Sequence, residues 1–190
     1  NTTAGDIVID ETDGLTLAAV ATQGGNGNID VDADGNVVVG GTVSANGSGN
    51  VNVTAAANGS VTVNAVVTST TGNVTLEAAD GIALNQPINI VGNVTLSANT
   101  DADLVGTTEL NTGNVNAVSG AIVDFNGPVL VSQQAIIIGT TSVDFDSEIA
   151  GGGYDLTITS PITGFHGDVT GVGTLTTDAA GVPTIDTAAV

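Results

Sequence analysis

The 190-residue chain contains no lysine, arginine, cysteine, methionine or tryptophan. Each absence excludes a class of chemistry. In ordinary proteins about a quarter of residues are charged, roughly half of them basic, so about twenty Lys or Arg are expected at this length. With none, and with 20 acidic residues and one His, the formal charge is −20. No cationic side chain is present to neutralise phosphate, so nucleic acid and anionic membranes are excluded as favoured partners. Side-chain salt bridges cannot form at neutral pH, and divalent cations become the expected relief for carboxylate repulsion. Proteases that cut after Lys or Arg find no site, which suits a protein exposed outside a cell. The lack of cysteine removes disulfides, thiol nucleophiles and thiolate metal sites. No apolar run approaches the ~18 residues of a membrane span, so no membrane insertion is expected. The opening "NTTAGDIVID" has neither the basic nor the apolar region of a signal peptide. It reads as the start of a processed chain or as the interior of a longer protein.

Aromatic residues are only 2% of the chain, while hydrophobic residues are 41%. A core must therefore be built from Val, Ile, Leu and Ala, and it must be thin and regular. Total charge is 11%, so Thr, Asn, Ser and Gly do most of the solubilising.

What is abundant is alternation. A unit of small, apolar, polar, apolar, polar, Ala appears as "NIDVDA" (Ile29, Val31, Ala33), "NVNVTA" (Val51, Val53, Ala55) and "SVTVNA" (Val61, Val63, Ala65). It returns as "NVTLEA" (Val74, Leu76, Ala78) and "NVTLSA" (Val94, Leu96, Ala98). A period of two places the apolar triplets on one strand face and the Thr, Asn, Asp and Glu on the other. Looser copies run through Ile7 and Ile9, Leu15 and Leu17, Val143 and Phe145, and Leu156 and Ile158. Gly or Gly-Asn precedes most of these strands, at Gly27, Gly35, Gly49, Gly72, Gly92 and Gly113. Both residues tolerate positive φ, the expected demand of a tight corner. No stretch has a helical period.

The spacing from Gly49 to Gly72 is 23 residues, from Gly72 to Gly92 it is 20, and from Gly92 to Gly113 it is 21. A period near 20 with two or three short strands per unit predicts an all-β parallel β-solenoid, about 20 residues per coil. Each strand then lies about 4.8 Å above its predecessor. Val74 should stack near Val94, Leu76 near Leu96 and Ala78 near Ala98. The competing architecture is an antiparallel sandwich, which also uses short strands and Gly-rich turns. Near-identical units in constant register favour the solenoid. Residues 1–190 are expected to form one elongated solenoid, a segment or subunit of a longer fibre.

"GNVTLEAADGIALNQPI" followed by "GNVTLSA" resembles the repeat region of filamentous haemagglutinin-type exoproteins. "SVDFDSEIAGGGYDLTIT" and "GVGTLTTDAAGVPTID" resemble repeats of giant bacterial surface proteins and autotransporter-like adhesins. The likeness covers most of Gly27 to Ile185. It implies a right-handed parallel β-helix that is secreted and displayed on the cell surface. The chain departs from that pattern in having no basic residue and no recognisable secretion domain or membrane barrel.

Candidate chemistry is sparse. "DVDADG" carries Asp30, Asp32 and Asp34 at alternate positions, like the start of a calcium loop, but the bidentate Glu such a loop needs at its twelfth position is replaced by Gly41. The competing reading is a solvated strand face. Asp144, Asp146 and Glu148 repeat the picture. These two groups are the candidate calcium ligands, and no other cofactor is expected. Paired Asp residues could serve glycoside cleavage, yet only Tyr154 and three Phe are available as sugar platforms. Catalysis is not expected. His166 in "GFHGD" has no Ser or Cys partner at an evident spacing. "GGNGN" at Gly24 is no phosphate loop, since no Lys follows. Glycosylation sequons occur at Asn1, Asn46, Asn52, Asn58, Asn73 and Asn93, of which Asn73 and Asn93 fall at presumed corners.

The expectation is a structural, extracellular or cell-surface protein: a fibre or stalk segment of a bacterial adhesin or exoprotein. A self-polymerising filament subunit, joined end to end or by strand donation, is the alternative. A glycan-binding or glycan-cleaving module is the third. Self-association into fibres and host or matrix glycans are the partners these readings imply.

Overall fold

The structure, a computed structural model, describes residues 5–101, 106–113, 116–178 and 182–185. Among them there is no helix, and every strand pairing is parallel. The chain winds as a β-solenoid of about 7 turns with roughly 20 residues per coil. Three short strands make each coil. The first face carries Ile7–Glu11, Ile29–Ala33, Val51–Ala55, Val74–Ala78 and Val94–Ser97, stacked in that order. The second carries Leu15–Leu17, Val37–Val39, Val61–Val63, Ile82–Leu84, Thr108–Leu110, Val129–Val131, Ile149–Gly151 and Val169–Thr170. The third begins with Val20–Ala21, Val43–Ala45 and Val67–Ser69.

The stacking is residue on residue. Val74 lies opposite Val51 on one side and Val94 on the other, and Leu76 lies between Val53 and Leu96. Glu77 faces Ser97, and Ala98 is buried just beyond it. The inward positions of the inner coils are closed to solvent, so the core is a column built mainly of Val, Ile, Leu and Ala running along the axis. Burying one such aliphatic side chain contributes about 1.5–3 kcal/mol. "SVTVNA" proves to lie on the second face, unlike the other four units: Val61 and Val63 point inward there, and Ala65 lies past the strand end.

All three phenylalanines occupy one inward column that continues Leu76 and Leu96. Phe125 stacks on Phe145 with ring centroids 4.9 Å apart and 6° between planes, and Phe145 on Phe165 at 5.5 Å and 2°. Parallel in-register strands force identical rotamers to lie face over face, and both spacings fall in the favourable range for offset rings.

The Gly-Asn pairs have a different role from the one the sequence suggests. Gly27, Gly49, Gly72 and Gly92 do not have positive φ; on that edge Gly25 and Gly47 do. Instead, a Cβ on Gly27, Gly49, Gly72 or Gly92 would collide with the carbonyl oxygen of Gly5, Gly27, Gly49 or Gly72 in the preceding coil. Glycine is required by close backbone approach. The asparagine that follows builds a second ladder. The side-chain oxygen of Asp6 accepts from the backbone N–H of Asn28 (2.7 Å), and Asn28 Oδ1 accepts from Asn50 N–H (2.9 Å). Asn50 Oδ1 accepts from Asn73 N–H (2.9 Å), Asn73 Oδ1 from Asn93 N–H (2.9 Å), and Asn93 Oδ1 from Ile122 N–H (3.3 Å). Each side chain thus satisfies an amide that the turning backbone would leave without a carbonyl partner.

The same ladder measures the coils. Its steps are 22, 22, 23, 20 and then 29 residues. Gly113 is therefore not the next corner after Gly92, as its spacing suggests; Val94 pairs with Val123. Above Asn93 the Gly-Asn signal ends and the corner changes character. Strands Asn116–Phe125 and Ala135–Phe145 run through it as 10- and 11-residue strands with register shifts at Asn116/Val118 and Gly120/Ile122. Their leading halves continue the third face, to Ile88–Asn89 below and Leu156–Thr159 above; their trailing halves continue the first face.

Two outcomes are expected. Gly49→Ala, which drives a methyl into the Gly27 carbonyl, lowers stability by about 1–3 kcal/mol in urea titration. Thr108→Val has the opposite sign: Thr108 is fully buried with an unpartnered hydroxyl, and its removal raises stability by about 1 kcal/mol in the same assay.

Candidate functional site

The outward side of the first face displays two adjoining columns. From Ile29–Ala33 upward, one reads Asp30, Asn52, Thr75, Thr95, Asp124, Asp144, Gly164. The other begins with Asp10 and Asp32, passes Thr54, Glu77 and Ser97, and reaches Asn126, Asp146 and His166. Acids are concentrated toward the two ends, and in the middle Glu77 stands among neutral Asn, Thr and Ser.

At the lower end Asp32 stands directly over Asp10, and Asp30 accepts a 2.6 Å hydrogen bond from Asn52 Nδ2. Asp10, Asp30 and Asp32 border an open cleft of about 300 Å³ with Val8, Asn52 and Thr54. Asp34 leaves the strand face; its backbone N–H bonds to the Glu11 carbonyl at the corner. Asp30, Asp32 and Asp34 are not brought together as one ligand set.

At the upper end Asp144, Asp146 and His166 each offer one ligand atom within 4.8 Å of the others. Among the described residues this is the one such trio. His166 Nε2 is 3.0 Å from Asp144 Oδ1, with both side chains 43% exposed. That oxygen is itself closed to solvent with no other hydrogen-bond partner. It lies over Gly164, in the space a side chain would fill, so the glycine lets Asp144 and His166 meet across a coil. The partial exposure means water screens the pair and limits its contribution to stability. Glu148 is not in the group; it lines the next cleft, about 430 Å³, with Asn99, Asn126 and Asp146.

Asp124 sits one coil below Asp144. Burial pushes its carboxyl above the usual range, and the charges of Asp146 and Asp144 push it further in the same direction. The Asn126 amide, oriented by its neighbours, donates to both Asp124 oxygens (3.1 and 3.2 Å) and accepts from Ser97 Oγ at 3.0 Å. This amide shields part of a carboxylate that would otherwise face two others.

Chemically, the upper group offers two carboxylates and an imidazole. Calcium takes about six to eight oxygens, whereas imidazole suits transition ions. Substituting His166 for Glu148 in the expected trio therefore moves the set away from a calcium shell. The residue that sequence spacing missed is His166. Its signal was the interval of one coil from Asp146, readable only once register is known.

The sequons within the described residues lie on corners and outer faces. Asn73 is exposed and Asn93 half-buried, and both use Oδ1 in the ladder, leaving Nδ2 as the atom a glycan would take. Asn52 Nδ2 is committed to Asp30. Asn46 and Asn58 are exposed, and Asn1 lies outside the described residues.

Comparison with protein-family models, curated proteins and solved structures finds no match to the chain.

The raised proton affinity of Asp124 fixes the sign of a pH effect. The folded state holds this proton more tightly than the unfolded state, so the group favours folding in acid and opposes it once ionised. Asp124→Asn is expected to raise the thermal midpoint at pH 7, and the gain should shrink as acid protonates the wild-type carboxyl. Thermal melts at both ends of that range check it.

Proposed function

We propose that the chain is a structural segment of an extracellular fibre or stalk, of the kind borne by bacterial surface adhesins and exoproteins. The observation that carries this reading is the parallel stack of the described coils, whose backbone ladders run along the axis from coil to coil. Such a fold spans distance with few residue types and tolerates added coils. The resemblance of "GNVTLEAADGIALNQPI" and "GNVTLSA" to exoprotein repeats supports the same reading, as does the absence of Lys and Arg cleavage sites. The −20 charge keeps neighbouring stalks apart and requires counterions. Mobile cations gathered along the acidic ends of the first face would serve that need.

A second reading, a filament subunit, is favoured by the outermost coils. Ile7, Ile9 and Leu15 are only partly covered at one end, and Leu175 is exposed at the other. A further coil, from the same chain or from a second copy, would cover these residues and pair the open strand edges.

Antibody raised against the chain should label intact producing cells, and protease added to those cells should remove the label. Label appearing only after lysis would overturn the extracellular assignment. Negative-stain microscopy of the isolated chain, with and without chelator, separates the two readings: concentration-dependent filaments support the subunit, single short rods the segment.

A further inference from the structure

The second and third faces meet at a corner that carries the chain's one tyrosine beside two consecutive glutamines. Its strands end at Leu110, Val131 and Gly151, which are in register across three coils. Beyond them the chain places Gly113 in the lowest coil, Ser132, Gln133 and Gln134 in the next, and Tyr154 above. These five residues line an open cleft of about 500 Å³.

Tyr154 is the only tyrosine, and the three phenylalanines are all buried. In a chain with 2% aromatics, one ring is 45% exposed and takes no part in the core. It follows Gly151, Gly152 and Gly153. A Cβ at Gly152 would touch the ring at Cε2 and Cδ2, 3.2 and 3.3 Å away, so the ring rests on bare backbone. Its carbonyl is fixed by the Gly173 N–H at 2.9 Å. Gln133 and Gln134, consecutive and both exposed, set two primary amides beside it. The Gln133 Oε1 lies over Gly113, whose positive φ of 55° and missing side chain keep the floor open. Ser132 donates to Glu109 Oε1 at 2.6 Å, which fixes its hydroxyl oxygen in the cleft wall.

An aromatic face beside two amides and a hydroxyl fits a ligand with an apolar CH face and several hydroxyls. Glutamine both donates and accepts, matching hydroxyls that do the same. The tyrosine supplies rigid apolar area at small entropic cost. The chain's charge excludes acidic sugars: no Lys or Arg exists to hold a carboxylate or sulfate, and the net charge is −20.

We propose that this corner is a binding site for neutral saccharides, with Tyr154 as the stacking platform and Gln133 and Gln134 as hydroxyl-reading amides. It is independent of the stalk assignment, which rests on the stack and not on this cleft.

The chain reports on the site directly, because Tyr154 is its only tyrosine and it has no tryptophan. Maltohexaose, cellohexaose, mannohexaose, a β-1,4-galactan oligomer and oligogalacturonate are titrated against the full chain, by tyrosine emission and by calorimetry. The expected result is a saturable change with at least one neutral oligomer and none with oligogalacturonate. Tyr154→Ala and the double change Gln133→Ala with Gln134→Ala should each weaken calorimetric binding about tenfold or more, with the thermal midpoint unchanged. Tyr154→Phe should retain most of it. No response to any neutral oligomer overturns the proposal; so does wild-type affinity in Tyr154→Ala, or binding of oligogalacturonate as tight as that of the neutral chains.

Discussion

The structure rests on one constraint: successive coils must approach within the spacing of a parallel β-ladder at every point of the circuit, corners included. On the flat faces this is readily met, since β-branched side chains stack on their own kind. At corners the backbone turns and carbonyls no longer fall beneath amides. The Gly-Asn pair resolves both problems at once. Glycine lets the backbones close up, and the asparagine oxygen stands in for the missing carbonyl. Where the pair stops, above Gly92-Asn93, the sharp corner gives way to long strands that bend through it with register shifts.

The same constraint shapes the core. Whatever residue occupies an inward position sits on the equivalent residue below, so side chains are selected by column. The central column of the first face grows from valine through leucine to phenylalanine as the stack rises, and the three rings lie nearly parallel. A globular core would bring edges to faces. Two inward threonines, Thr108 and Thr163, interrupt columns that are otherwise aliphatic, each with a hydroxyl that finds no partner.

On the outside, stacking turns a modest acidic content into local concentration. Asp10 over Asp32, and Asp124 under Asp144, are carboxylates one ladder step apart in a chain without basic side chains other than one histidine. The structure answers with neighbours: Asn52 at Asp30, Asn126 at Asp124, and His166 at Asp144 over the gap left by Gly164. At Asp124, burial first and the charges of Asp146 and Asp144 next still raise the proton affinity.

Composition and period two determined a great deal by themselves: an all-β chain, the inward triplets, the coil near 20 residues and the partners Val74 with Val94 and Leu76 with Leu96. These are properties of local pattern, and a repeating sequence writes them once per coil. Register decided the rest. The 29-residue coil, the placement of "SVTVNA" on a second face and the demotion of Gly113 from its expected corner depend on which residues pair across a coil of irregular length. So does the candidate site. Asp144 and Asp146 are legible as an acidic alternation, but His166 is a residue of another coil. Only stacking brings it to 3.0 Å from Asp144 in place of Glu148, because a solenoid makes neighbours of residues one coil apart and points adjacent side chains in opposite directions.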